Sequence, residues 1–164
     1  MIQAIEQFFL ETVGRHLCVF FCAMLPIIEL RGAIPLGAGL GLPFYETLGL
    51  SLLGNMLPVP FILLFIRLIL TGMKKVKGLC KIAEWLERKA EKNREKIEKY
   101  SFWGLFLFVA VPLPGTGAWT GSLVAALIHM DFKKALASVA LGVLAAGIVM
   151  TIISYGIAAI IALF

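Results

Sequence analysis

Glu29-Leu30-Arg31-Gly32-Ala33-Ile34-Pro35 lies in the middle of the apolar tract 17–45, and Pro112-Leu113-Pro114-Gly115-Thr116-Gly117 lies in the middle of the apolar tract 101–130. A helix crosses the ~30 Å hydrocarbon core of a bilayer with about 20 residues. Tracts of 29 and 30 residues are long for one crossing and short for two. Proline removes a backbone donor and clashes with the preceding turn, so neither centre is expected to be continuous helix. Pro26 adds to the first break. A half-helix in, a turn at depth and a half-helix out satisfies both the lengths and the prolines. Irregular backbone at that depth is tolerated only where protein or a wet cavity covers it. A tilted, kinked single span is the alternative for each tract.

Outward from the two breaks, residues 47–66 carry no charge and suffice for one span, kinked by Pro58 and Pro60. Residues 135–164 are uncharged and free of proline, which reads as one tilted span. Between the halves lies a polar segment. Of the 15 Lys and Arg residues, ten fall between Lys74 and Lys99, with five of the ten acids. The whole chain of 164 residues is 60% apolar and 15% charged, with mean hydropathy +0.96. Soluble domains are nearer 45–50% apolar and about 25% charged. A soluble globule, a disordered chain and a disulfide scaffold are thereby excluded. The net charge of +5 is that of the polar segment alone, and no aromatic interleaving accompanies it, so nucleic acid is not the expected partner. The lipid bilayer is.

The fold expected is an all-α integral membrane protein. It has two inverted repeats, each a broken re-entrant helical hairpin followed by one transmembrane helix, joined by a charged amphipathic helix. The single membrane domain 1–164 divides into a first repeat at 1–72, a linker helix at 73–100 and a second repeat at 101–164. Pro26 and Pro112 are 86 residues apart, Phe44 and Phe132 88, Gly54 and Gly142 88. If both tracts re-enter, the loop at 44–46 faces one side and the linker and Asp131-Phe132-Lys133-Lys134 face the other. That second side then holds 12 of the 15 basic residues and is cytoplasmic by the positive-inside rule. If all four tracts crossed, Lys133 and Lys134 would sit opposite the linker. The expected location is therefore the cell membrane, multi-pass, with 73–100 and 131–134 cytoplasmic.

Residues 1–16 mix charge with Ile2, Ile5, Phe8 and Phe9, as an interfacial helix does, and Glu6 and Glu11 replace the basic start of a cleaved signal peptide. In the linker, Val76, Leu79, Ala83, Leu86, Ala90, Asn93, Ile97 and Tyr100 step by three and four, an apolar helical stripe. It suits the membrane surface, another helix, or no role beyond joining the repeats. Cys18, Cys22 and Cys80 show neither a C-x-x-C nor a metal spacing with His16 or His129, so no metal or cofactor is expected. No motif of a hydrolase or metalloenzyme occurs, and the chain is not read as an enzyme.

Glu29 and Arg31 are the candidate chemistry. A charge at the bilayer centre is unfavourable by about 2.5–3.5 kcal/mol on insertion scales. Arg31 offers a permanent planar cation suited to carboxylate or phosphate. Glu29 is the only carboxylate within these tracts and could bind and release a proton. A purely structural reading has Arg31 capping carbonyls of the opposite hairpin and Glu29 neutralising it. The candidate pathway also takes in Gly32, Pro35, Asn55, Pro112, Pro114, Gly115, Thr116, Gly117 and Thr120. A half-helix beginning near Gly117 would aim N–H groups at an anion. Gly37/Gly41 and Gly117/Gly121 are spaced for close helix contact. Ser51 and Asn55, four apart on the first span, are expected to form interhelical hydrogen bonds.

Glu29-Leu30-Arg31-Gly32-Ala33-Ile34-Pro35 with its Gly-rich run to Pro43, and Pro112-Leu113-Pro114-Gly115-Thr116-Gly117-Ala118-Trp119-Thr120-Gly121, together resemble the putative small multidrug export protein family. Chain length and the charged middle segment match as well. That resemblance links the chain to the DedA superfamily. It implies two re-entrant hairpins and proton-coupled transport, extending in the wider group to polyprenyl-phosphate recycling. The chain departs from the DedA pattern in having an acid–arginine pair in the first hairpin only. On this reading the protein is a transporter or exporter with a proton as coupling ion. It moves an amphipathic or anionic substrate through a midplane site, and works as a homodimer because four apolar elements are thin for a sealed pathway. A flippase for an anionic lipid such as a polyprenyl phosphate, and a non-transporting membrane scaffold, are the alternatives.

Overall fold

The computed structural model describes residues 14–74, 81, 84, 85, 88, 101–111, 113 and 115–161. Residues 1–13, the whole linker stripe, Cys80, Pro112 and Pro114 lie outside the described residues. Among those described, regular structure is helical throughout. Seven helices follow in chain order. They are α1 (Gly14–Met24), α2 (Glu29–Gly39), α3 (Phe44–Met56), α4 (Pro58–Lys74), α5 (Ser101–Ala110), α6 (Ala118–Leu127) and α7 (Phe132–Ile161).

Among the described residues two stretches are long and apolar enough to cross a membrane, Phe44–Ile66 and Phe132–Ile157. The first is α3 running into α4 through a bend at Leu57. Pro58 and Pro60 cause that bend, and both sit in the first turn of α4, where no intrahelical donor is required. The second lies within the uninterrupted 30-residue α7.

Both long tracts break, as the prolines require. The first break is shorter than expected. It occupies Leu25–Ile28, and Glu29–Pro35, expected to be irregular, already belongs to α2. Pro35 sits inside that helix. It removes the donor that would meet the Arg31 carbonyl, yet one missing bond does not stop a helix packed along α3. The segment 44–46 is likewise the first turn of α3 rather than a loop, because Pro43 holds extended backbone and starts the helix behind it. At the matching point before α7, Asp131 Oδ1 accepts from the Lys134 amide at 3.1 Å.

Contacts divide the chain into two compact units, Met1–Leu57 with Leu144–Phe164, and Pro58–Val143. In the first, α1 enters, turns and returns as α2. Arg15 Nη1 donates to the Leu40 carbonyl (3.4 Å), so the two ends of the hairpin lie at one level. His16 Nε2 and Glu46 Oε2 are 2.7 Å apart, which brings the start of α3 to that level too. The 11 residues of α2 rise roughly 16 Å, about half the hydrocarbon core. Gly54 of α3 packs on the Phe20 carbonyl and Ala23 of α1, and Gly37 of α2 packs on Thr47 of α3. Val19, Ala23, Ala33 and Leu42 form a buried cluster.

In the second unit, α5 and α6 are the hairpin. A methyl group on Gly121 would stand 2.6 Å from Val109 Cγ2, and one on Gly142 would stand 2.7 Å from Val109 Cβ and 3.0 Å from the Phe106 carbonyl. Ser138 Oγ donates to the Phe102 carbonyl at 2.7 Å. Helix α4 lies along α6.

Several local features occur in both units at a spacing of 88 residues. Helix α2 closes with Leu40 N–H to Leu36 O, Gly41 N–H to Ala38 O and Leu42 N–H to Gly37 O; α6 closes with Ile128 N–H to Val124 O, His129 N–H to Ala126 O and Met130 N–H to Ala125 O. Both are Schellman closures with a left-handed residue, Gly41 (φ 74°) and His129 (φ 62°). The following helices open with Thr47 N–H to Pro43 O and Ala135 N–H to Asp131 O.

Candidate functional site

The first unit places Glu29 at the point where the hairpin turns back. Its amide donates to the Leu25 carbonyl at 2.9 Å and closes the turn. Its φ is +51°, a left-handed conformation rare for a residue with a side chain. Glu29 is 5% exposed. Arg31, two residues on and half-buried, is near enough for the two charges to interact. Gly32 follows, with the Ile28 side chain where a Cβ would point. The acid and the cation thus share the first turn of a half-helix whose start is buried.

Helix α3 supplies a polar face in the same unit. Thr47, Ser51 and Asn55 are one turn apart and fully buried. The Gly37–Thr47 contact fixes the antiparallel register of α2 against α3. One turn along each helix brings Ala33 level with Ser51, and a second brings Glu29 level with Asn55. At the other end of the face, the Tyr155 hydroxyl hydrogen-bonds to Thr47 Oγ1 (2.7 Å) and to the Leu42 carbonyl (2.8 Å). Among the described residues the interhelical hydrogen bonds expected of Ser51 and Asn55 are not made. Ser51 Oγ, Asn55 Oδ1 and Asn55 Nδ2 have no hydrogen-bond partner among the described residues.

Sequence reasoning found Asn55 but gave no site role to Thr47 or Ser51. The signal was available as three polar residues at i, i+4 and i+8 in an otherwise apolar span. Pro35 turns out to be exposed. It borders an apolar groove of about 370 Å³ with Ala38, Gly39, Met150, Ile153, Ser154 and Ile157.

The remaining candidates fall in the second unit. Gly115 (φ 84°) and Gly117 (φ 134°) hold backbone that L side chains rarely adopt, which is why this break needs glycine. Gly117 is the N-cap of α6, and its carbonyl accepts from the Gly121 amide at 2.8 Å. Thr116 acts on the turn itself, its hydroxyl bonding the Val111 carbonyl (3.0 Å) and the Leu113 carbonyl (2.8 Å). Thr120 is buried in the first turn of α6. A buried polar atom without a partner among the described residues occurs here as well, at Ser122 Oγ.

No group of three or more His, Cys, Asp or Glu able to hold a metal occurs among the described residues. No curated protein and no solved structure matches the chain. A family model described as "Putative small multi-drug export protein" matches residues 29–149, from the buried acid through most of α7, and the chain belongs to that family.

Proposed function

We propose that the protein is a proton-coupled membrane transporter or exporter in which Arg31 meets an anionic group of an amphipathic substrate, or Glu29 a cationic one, and Glu29 carries the coupling proton. The observation that carries this reading is a buried carboxylate beside a guanidinium at the turn of a hairpin. Charge bookkeeping gives the pair its chemistry. With Glu29 ionised the pair is neutral; with Glu29 protonated it is +1. An anion and a proton therefore favour each other's binding and cross together. An amphipathic cation competes with the proton for Glu29 and is exchanged for it. The sign of the substrate sets the direction of transport relative to the proton gradient.

The first tract re-enters on this reading, supported by the Arg15–Leu40 bond that brings both ends of its hairpin to one level. The two halves are inverted repeats, supported by the closures that recur 88 residues apart and by one stretch long and apolar enough to cross in each half. The linker and residues 131–134 are cytoplasmic, supported by the concentration of Lys and Arg there. The working form is a homodimer.

The test is transport in proteoliposomes under an imposed pH gradient. It uses a panel of fluorescent amphipathic anions and cations and a labelled polyprenyl phosphate. Glu29→Gln and Arg31→Gln are each expected to lower transport at least tenfold. Full activity in both variants would remove the pair from the mechanism, and no movement of any probe by the parent chain would leave the scaffold reading. Movement of the labelled lipid alone would make the protein a flippase.

A further inference from the structure

Thr47, Ser51 and Asn55 form a continuous buried polar face that the exporter reading does not itself require. Ser51 Oγ and both polar atoms of the Asn55 amide are sealed from solvent and unpartnered among the described residues. Buried polar atoms of this kind are normally met by ordered water. The second unit provides an internal comparison. Counted from the matching closures at Leu42 and Met130, and from the matching glycines Gly54 and Gly142, the equivalent positions are Ala135, Val139 and Val143. All three are fully buried, except that here every one is apolar. The fold closes this face with Ala and Val where packing is all that is asked. Packing therefore does not explain a hydroxyl, a second hydroxyl and an amide in the first unit.

The ends of the face are informative. Its inner end, Asn55, is level with Glu29. Its outer end, Thr47, is bonded to the half-buried Tyr155 hydroxyl, at the level of Glu46 and His16. We propose that Thr47, Ser51 and Asn55 carry a file of water between Tyr155 and Glu29, and that protons reach the carboxylate along it. Each of the three side chains can both donate and accept, so water on this face relays a proton without an ionised intermediate group. Tyr155 is the outer stop, because its hydroxyl occupies the Thr47 oxygen that the first water would otherwise take. The proposal rests on Glu29 being the proton carrier.

The experiment uses the full chain in liposomes with Cys18, Cys22 and Cys80 replaced by Ala, and single cysteines introduced as Ser51→Cys, Asn55→Cys and Leu53→Cys. Leu53 is exposed on the apolar side of α3 and is the control. The probe is the silver ion, a small hydrated cation that reacts with thiols. Its reaction is followed as loss of maleimide labelling after denaturation. Reaction at 51 and 55 is expected to be at least tenfold faster than at 53, and Tyr155→Phe is expected to speed it at 51 severalfold. Equal or slower reaction at 51 and 55 would overturn the water file, and an unchanged rate with Tyr155→Phe would overturn the stop. Should Asn55→Cys fail to fold, Ser51→Cys decides alone. Slow reaction combined with transport lost in Glu29→Gln would sink the file and spare the exporter reading; transport intact in Glu29→Gln would overturn the proton role of the file together with that of Glu29.

Discussion

Glu29 combines two unfavourable features at one position: a buried carboxylate and a left-handed backbone. The second is unfavourable by roughly 1–2 kcal/mol for a residue with a Cβ, and Asn adopts that conformation more readily than Glu. Glu29→Asn is therefore expected to unfold at the same temperature as the parent or higher, while transport is lost at least tenfold. Thermal unfolding in detergent, paired with the proteoliposome assay, checks both. A structural role for the carboxylate would instead lower the unfolding temperature. Asn55 sharpens the same point. An amide held only by water adds little to packing, and an apolar group of similar shape in its place is neutral or stabilising. Asn55→Leu is expected to raise stability by about 1 kcal/mol in the same unfolding measurement. The Glu29–Arg31 pair was legible in the sequence because charge stands out in an apolar tract. The spacing of Thr47 and Ser51 with Asn55 was equally legible but its meaning was not, because a hydroxyl in a membrane helix ordinarily bonds a neighbour, and Ser51 has none among the described residues.

Helix ends and helix contacts set the next scale. Gly41 and His129 fill the same left-handed place in two equivalent closures, but only one of them is glycine. His129→Gly is expected to stabilise by about 1 kcal/mol and Gly41→Ala to destabilise by a similar amount, since only glycine takes this conformation without steric strain. Gly54 and Gly142 are equivalent in another way. Each lets a span press against a half-helix, Gly54 on the Phe20 carbonyl and Gly142 on the Phe106 carbonyl. Alanine at either site meets backbone, which cannot move aside as a flexible side chain would. Each substitution is expected to lower stability by about 1–3 kcal/mol, with the loss read from thermal unfolding. Proline and tract length sufficed to place both breaks. They did not place the boundaries. Pro35 looked like a breaker, yet α2 continues through it, because packing along α3 outweighs one missing backbone bond.

At the scale of the whole chain, the crossing number separates the competing topologies. Among the described residues two stretches are long enough to cross, whereas α2 and α6 each rise only about half the hydrocarbon depth. With both hairpins re-entrant, the starts of α3 and α7 fall on opposite faces of the membrane. With all four tracts crossing, they fall on the same face. Charge favours the first arrangement, because Lys133 and Lys134 then join the ten basic residues of 74–99 on the cytoplasmic side. Glu46→Cys and Lys133→Cys, each in a chain whose own cysteines are replaced, read the answer directly. A membrane-impermeant maleimide applied to intact cells is expected to label position 46 at once and position 133 only after permeabilisation. Labelling of both from one side would mean that the second tract crosses fully. Arg31 and Glu29 would then have to be supplied with water and substrate by some route other than a pair of inverted hairpins.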